Sequence, residues 1–271
     1  PSAFRWHLRL ACANAEMLHR IHNHVKGMAV QQSTWRTLQQ CLPCEACVAG
    51  KLRKFHHTRP TEYFPMENLN NTIQKLKKAD ELMQSNKQAD ELMQSPNELV
   101  AVDWGIVNQE CRDKNTVFAL YLDKAIGLVF IHPAPSRGCA GDTLSAYIQH
   151  WGVPNRILAD NAKEFLEGDF KNICTRNGIK QEFSPPYSPN FNPAERYMDI
   201  ITSGARSMLY LSGLDPRKFW TDAILHRANL QFYMPLQNKK TPYELAKGKQ
   251  PNIQNLRIFG CQALSYVEKD K

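Results

Sequence analysis

The order of short apolar segments after residue 98 constrains the fold of this chain more than any other feature. Three segments typical of β-strands come first, and helix-like and strand-like segments then alternate. This order predicts an α/β fold built on a mixed sheet flanked by helices. The predicted strands cover residues 99–103, 116–122, 127–131, 156–159 and 180–184.

Helices are predicted from apolar periodicity and from the residues that mark their ends. One predicted helix ends at Gly152, and another covers residues 165–176. A third is expected to begin behind Asn192, which caps it, with Pro193 at its first position. A fourth is expected to start at Asp215-Pro216.

Composition divides the chain into four stretches. Residues 1–58 hold most of the histidines and four of the eight cysteines, which predicts a small metal-binding module in a reducing compartment. Residues 59–97 are polar, contain the direct repeat ADELMQS, and are predicted to form a helical linker. Residues 98–235 are predicted to form the α/β core. Residues 236–271 are interpreted as an extension that is truncated here.

A CxxC motif near the end of the first stretch predicts a zinc site. The thiolates of Cys44 and Cys47 can reach one ion at this spacing, and a closed tetrahedral site needs two further ligands. Two upstream pairs have equal spacing, which in a helix would place both side chains of a pair near one face, so spacing does not choose between them. These pairs are His7 with Cys12 and His19 with His24.

The charge of the chain favours a polyanionic partner. The net charge is +8 and the isoelectric point is near 9.1. Lys51, Arg53 and Lys54 follow the CxxC motif and are interpreted as contacts to nucleic-acid phosphates. No apolar run is long enough to span a membrane, so no membrane partner is expected. The chain begins without Met, and we expect it to be cut from a longer polyprotein.

Three acidic residues occupy positions from which they could meet. Asp103 and Asp160 are each predicted at the end of an apolar strand, and Glu195 in the first turn of a helix. Three carboxylates delivered in this way suit phosphoryl transfer, in which two Mg²⁺ ions activate the attacking oxygen and neutralise the leaving oxygen. Singly, each acid has an ordinary structural role as a turn or helix-end residue.

Several side chains near these acids are interpreted as DNA contacts. Lys163, Arg196 and Arg206 flank the acids and could meet phosphates near the scissile bond. Tyr187 and Asn190 precede the helix that carries Glu195 and could touch the DNA end. For the three cations, an ordinary role on a helix surface is an equally good interpretation.

The ordered motifs of this chain resemble those of integrases from copia-type LTR retrotransposons across nearly its whole length. Residues 160–165, DNAKEF, resemble the DNGxEF motif of that family, and CEACVAGK at 44–51 resembles its CxxCxxGK motif. Further similar segments lie at residues 6–10, 186–189, 194–196, 218–220, 240–245 and 256–261.

The resemblance implies an RNase H-like fold, preceded by a small helical zinc-binding pre-integrase module. It implies that Asp103, Asp160 and Glu195 bind two Mg²⁺ or Mn²⁺ ions. It also implies DNA 3′-end processing and strand transfer, with retroelement DNA ends and target DNA as partners of a homo-oligomer. The expected location is the nucleus, with cytoplasmic particles before import.

Two positions depart from the family pattern. Cys12 stands where the family has its second zinc-binding histidine, and we expect His7, Cys12, Cys44 and Cys47 to form the site. Pro193 replaces a glycine of the family loop, which predicts a stiffer loop similar to that of mariner-type transposases. Because decaying elements also accumulate such changes, a catalytically decayed fragment that only binds nucleic acid is the alternative function.

Overall fold

The structure is a computed structural model that describes most of the module and of the α/β core. The described residues are 3–30, 38, 44–51, 95–107, 112–184, 192–235 and 240–263. The predicted helical linker therefore lies almost wholly outside the described residues. Within the described parts of the chain, no helix is both long and apolar enough to cross a membrane.

A five-stranded mixed sheet forms the centre of the fold, with the strand order β3-β2-β1-β4-β5. β1 and β3 both pair antiparallel with β2, whereas β4 lies parallel to both β1 and β5. The predicted α/β class with a mixed sheet is thereby confirmed. The strands are β1 (Leu99–Ile106), β2 (Val117–Asp123), β3 (Leu128–Ala134), β4 (Arg156–Ala159) and β5 (Lys180–Phe183).

Helices cover both faces of the sheet. In chain order they are α1 (Ala3–Arg9), α2 (Ala15–His24), α3 (Glu45–Lys51), α4 (Ala140–Trp151), α5 (Lys163–Leu166), α6 (Gly168–Arg176), α7 (Pro193–Ser212), α8 (Pro216–Gln231) and α9 (Pro242–Lys247). The caps predicted for two of them are present. Asn192 accepts a hydrogen bond from the backbone N–H of Ala194, and Asp215 accepts one from that of Arg217.

Side chains of β1 alternate between two apolar clusters, as the period of a strand requires. Leu99 and Ala101 pack with α7, α8 and the N-terminal module, whereas Val100 and Val102 pack with the helices on the opposite face. The module and one face of the core thus share a single cluster of buried side chains. The same alternation directs Asp103 to the face covered by α7.

Three predicted elements differ from the observed ones. β1 does not end at Asp103, because antiparallel pairing with β2 continues as far as Ile106. β3 extends past Pro133, which an edge strand tolerates because one side of its backbone needs no partner. The helix predicted at 165–176 is two helices, because the extended backbone of Glu167 and the positive φ of Gly168, +70°, interrupt the regular turn.

The N-terminal module lies close against helix α7 through α3. Tyr210 of α7 donates a hydrogen bond to Glu45 of α3. A Cβ atom built on Gly50 would lie 2.6 Å from the backbone nitrogen of Ser207 and 2.8 Å from its Cα. The absence of a side chain at Gly50 is therefore what allows the two helix backbones to approach. The chain after α8 also returns to the module, since Ile253 N–H donates to the carbonyl of Lys26.

Gly50→Ala is expected to lower the free energy of unfolding by about 3 kcal/mol, because the clash is with backbone atoms that cannot rotate away. Urea unfolding monitored by circular dichroism measures this change. Gly138→Ala is the matched control, since its Cβ would meet nothing closer than 3.4 Å. Equal stability of the two variants would show that α3 does not dock on α7 in this way.

Candidate active site and metal centre

The strand register brings Asp103 and Asp160 to neighbouring positions of the sheet. β1 and β4 are parallel, with Ala101 opposite Leu158. Continuing this register by two residues places Asp103 opposite Asp160, at the spacing of adjacent strands, which is about 4.8 Å. Side chains two residues apart on a strand lie on the same face of the sheet. Because Ala101 and Leu158 belong to the cluster under α7, Asp103 and Asp160 lie on that face too.

The N-terminus of α7 brings Glu195 to the same edge. Asn192 uses both ends of its amide there: its oxygen caps α7, and its Nδ2 donates to the carbonyl of Val102 at 3.0 Å. Val102 directly precedes Asp103 in β1. The amide therefore ties the start of the helix that carries Glu195 to the strand that carries Asp103.

The electrostatics of Asp103 show that the three acids share one environment. Burial, and after it the negative charges of Asp160 and Glu195, raise the pKa of Asp103 to about 6. A hydrogen bond from the Trp104 N–H, at 2.8 Å, and the charge of Arg137 act in the opposite direction. Mutually repelling carboxylates at one edge of a sheet are a donor set that fits divalent cations with hard oxygen ligands, such as Mg²⁺ or Mn²⁺.

Two substitutions of Asn192 measure the contributions of its two hydrogen bonds separately. Asn192→Ala is expected to cost about 1 kcal/mol of stability through loss of the cap. Asn192→Ser keeps a capping oxygen and should recover that stability, but its shorter side chain cannot cap α7 and also reach the carbonyl of Val102. We expect both variants to bind Mn²⁺ at least about tenfold more weakly, because Glu195 is no longer held beside Asp103.

Titration calorimetry with Mn²⁺ and thermal unfolding measure these two effects of the Asn192 variants. Asp215→Ala is the control, because it removes the cap of α8 and leaves the site alone. Mn²⁺ binding by Asn192→Ser that equals wild type would contradict the positioning role.

Arg137 is a residue at this site that the sequence did not single out. It lies between β3 and α4, and its Nη1 is 3.5 Å from Oε1 of Glu164 in the DNAKEF segment. Its charge partly offsets that of the acids at Asp103. No spacing rule connects Arg137 to residues 23 or more positions away, so only the folded chain reveals it.

The structure also brings four metal-ligating side chains of the module together. One ligand atom from each of His7, Cys12, Cys44 and Cys47 lies within 4.8 Å of the others, the single such cluster among the described residues. The Nε2 of His7 is 3.2 Å from Sγ of Cys44 and 3.4 Å from Sγ of Cys47. The sulfurs of Cys44 and Cys47 are 3.4 Å apart, and that of Cys12 is 3.9 Å from Cys44.

These distances fit a tetrahedral zinc ion. With Zn–S bonds of about 2.3 Å, the sulfurs of such a site lie roughly 3.8 Å apart. The donor set of three thiols and one imidazole is also one that zinc accepts. Burial and the neighbouring thiols raise the pKa of Cys12 above its ordinary value, so an ion must displace its proton to bind there.

His7 is oriented for metal binding by a backbone carbonyl. Its Nδ1 donates to the carbonyl of Ala13 at 2.7 Å, which leaves Nε2 with the lone pair directed at the cysteines. The expectation that His7 and Cys12 share a helical face is wrong, because α1 ends at Arg9. Cys12 instead reaches the cluster from a turn in which Ala11 and Cys12 both have positive φ, 52° and 60°.

The alternative histidines lie elsewhere. His19 and His24 belong to α2, where His19 is exposed and His24 half-buried, and neither is part of the cluster. Of the two upstream pairs left open by spacing, the geometry brings His7 and Cys12 to the CxxC motif.

The predicted DNA-binding cations that the structure describes are exposed. Lys163 pairs weakly with Glu167 at 3.9 Å, and its side chain is 85% exposed. Arg196 and Arg206 are exposed on α7, where Arg206 lies about 16 Å from Glu195 along the helix axis. The side chain of Lys51, together with Arg53, Lys54, Tyr187 and Asn190, lies outside the described residues.

Comparisons with known proteins place relatives of this chain among transposon polyproteins. It is 31% identical over 120 residues, 43% of the chain, to the retrovirus-related Pol polyprotein from transposon TNT 1-94 of Nicotiana tabacum. It is 22% identical over 166 residues, 57% of the chain, to that from transposon RE2 of Arabidopsis thaliana. The matches span 9% and 11% of these relatives. They confirm the resemblance to copia-type elements. No protein family model matches the chain.

The fold is also similar to that of a retroviral integrase. A chain of the simian T-cell lymphotropic virus intasome, solved in complex with PP2A regulatory subunit B56 gamma, aligns with a TM-score of 0.50 and 18% identity. The alignment covers 66% of this chain and 62% of that one. The predicted integrase-type fold is thereby confirmed.

Proposed function

We propose that this chain is the zinc module and catalytic core of a retrotransposon integrase, which processes DNA 3′ ends and joins them to target DNA. The observation that supports the proposal is the strand register, which places Asp103 opposite Asp160, together with the bond from Asn192 that ties the start of the helix carrying Glu195 to β1. The charges of Asp160 and Glu195 also raise the pKa of Asp103. The transposon relatives support the same class of reaction.

The carboxylates of Asp103, Asp160 and Glu195 would hold two Mg²⁺ or Mn²⁺ ions. When bound, these ions would activate the oxygen that attacks a phosphodiester and neutralise the charge on the oxygen that leaves it. Asn192 ties the start of the helix that carries Glu195 to β1, and Trp104 orients the Asp103 carboxylate through its N–H. Lys163, Arg196 and Arg137 present exposed cations around the acids, where DNA phosphates would approach.

The zinc module would act as structural support. His7, Cys12, Cys44 and Cys47 would hold one Zn²⁺, which fixes the turn after α1 to α3 and, through Gly50, α3 to α7. Joining two DNA ends requires two active sites, so the working form would be a homo-oligomer on DNA. The place of action would be the nucleus, after assembly in cytoplasmic particles.

One assay tests this function against its alternatives. The protein is incubated with labelled retroelement DNA ends, a target plasmid and Mg²⁺ or Mn²⁺. We expect joined products from the wild type and none from Asp160→Asn, since a neutral amide weakens metal binding. Cutting without joining would indicate a nuclease, and DNA binding without any chemistry would indicate a decayed element, so either outcome would reject the proposal.

A further inference from the structure

A cavity of about 260 Å³ lies between the N-terminal module and the helices α7 and α8. The turn after α1 and the start of α2 form one side, and α7 and α8 form the other. Most of its surface is apolar, including Leu10, Ile200 and Met234, but Arg227 and Gln231 of α8 also line it. The cavity lies apart from the three acids and has no role in the proposed DNA chemistry.

Arg227 is a buried cation that has no counter-charge among the described residues. Arg227 is only 5% exposed, and its Nη1 has no hydrogen-bond partner among the described residues. Its Nη2 donates only to the sulfur of Met234, a weak acceptor, at 3.7 Å. Burial lowers the pKa of Arg227 to about 10. Among the described residues, the one titratable group opposing that shift is Tyr197, which is neutral at physiological pH.

The packing around Arg227 makes room for its side chain beside the cavity. Its stem crosses α7 at Gly204, where a Cβ atom would lie 2.6 Å from Cδ of Arg227. Folded proteins seldom bury an arginine unless it is paired, because an uncompensated buried charge is strongly destabilising. Gly204 leaves space for the side chain of Arg227, and the side chain lies beside a cavity. An anion bound in this cavity would supply the missing counter-charge.

Two further groups at the cavity favour an anion with oxygen atoms. Gln231 lines the cavity, and its Oε1 is buried without a partner among the described residues; turning the amide over would replace this acceptor by the two donors of Nε2. The N-terminus of α2 borders the same space through Asn14 and Met17, and helix N-termini favour negative charge.

We propose that this cavity binds a small oxyanion, a carboxylate or a phosphate group, which accepts hydrogen bonds from Arg227. The bound group would join the turn that carries Cys12 to α7 and α8. It would therefore strengthen the attachment of the zinc module to the core.

Thermal unfolding of the zinc-loaded protein tests the site, without DNA or Mg²⁺ and at constant ionic strength. Sodium phosphate and sodium acetate are added in separate arms against sodium chloride. At about a hundredfold excess over Kd, we expect the melting temperature to rise by at least about 5 °C. A rise with phosphate alone identifies a phosphate site, and a rise with acetate alone a carboxylate site; a rise with both supports a general oxyanion site.

Arg227→Met should abolish this rise, because it keeps the volume of the side chain and removes the charge. Arg217→Met, at an exposed position of the same helix, should retain it. No rise in the wild type, or an equal rise in Arg227→Met, would overturn the proposal. If Arg227→Met does not fold, Gln231→Leu replaces it and should reduce the affinity for the same anion at least about threefold; unchanged affinity would count against the site. The DNA-joining assay is independent of either result.

Discussion

Removal of zinc is expected to unfold the N-terminal module and to lower the melting temperature of the whole protein by more than about 10 °C. Structural zinc sites contribute about 10 kcal/mol or more to the folding of small modules. Among the described residues, the main link between the turn after α1 and α3 would be the ion bound by His7, Cys12, Cys44 and Cys47. Because the module shares its apolar cluster with α7 and α8, the loss should extend to the core.

Native mass spectrometry and thermal unfolding with and without a zinc chelator measure this effect. The wild type should carry one zinc ion per chain. Cys12→Ala should lose it, whereas Cys261→Ala, at an exposed cysteine outside the cluster, should keep it. Full zinc content in Cys12→Ala would reject Cys12 as a ligand, and an unchanged melting temperature after chelation would reject a structural role for the ion.

Asp103→Asn is expected to abolish DNA joining and yet to stabilise the metal-free protein at pH 8 by about 2 kcal/mol. The pKa of Asp103 is about 6 in the folded chain, above the value of about 3.9 for an unfolded aspartate. The folded state therefore binds this proton more tightly, and the resulting stability is present below pH 4 and lost as the pH rises through 6. At pH 8 the charge of Asp103 is costly first because it is buried and then because it repels Asp160 and Glu195, and the amide removes both costs.

Urea unfolding at pH 4 and pH 8, with and without Mg²⁺, measures this difference in stability. The advantage of Asp103→Asn should vanish at pH 4, and saturating Mg²⁺ should stabilise the wild type more than the variant. Joining activity should fall by at least about 10³-fold. Asp113→Asn, at an exposed residue of the β1–β2 connection, should change none of these quantities. A variant less stable than wild type in metal-free buffer at pH 8 would show that the charge of Asp103 does not destabilise the metal-free protein.

Local rules predicted the parts of this fold that depend on nearby residues. β4 has the bounds expected from its apolar run, and Asn192 and Asp215 cap helices as their side chains suggested. The extension of β1 beyond Asp103 depended on pairing with β2, which is not a property of the segment itself. The break at Gly168 followed from a positive φ that periodicity alone does not reveal.

The site residues also divide into those that local sequence rules predict and those that depend on the folded chain. Spacing proposed the zinc ligands and left two pairs open, because the choice depended on how the turn after α1 folds. The bond from Asn192 to Val102 joins residues 90 positions apart, and Arg137 reaches Glu164 across two elements. Nothing in the sequence distinguishes Arg227 from other helix cations, since its burial arises from packing against Gly204 and the module.

Anomalous diffraction from crystals of the wild-type protein grown with Mn²⁺ tests the metal site directly. We predict two manganese peaks about 4 Å apart, bound by carboxylate oxygens of Asp103, Asp160 and Glu195. Manganese found only at other positions, with these carboxylates left without a common ion, would contradict the assignment of this sheet edge as the catalytic centre.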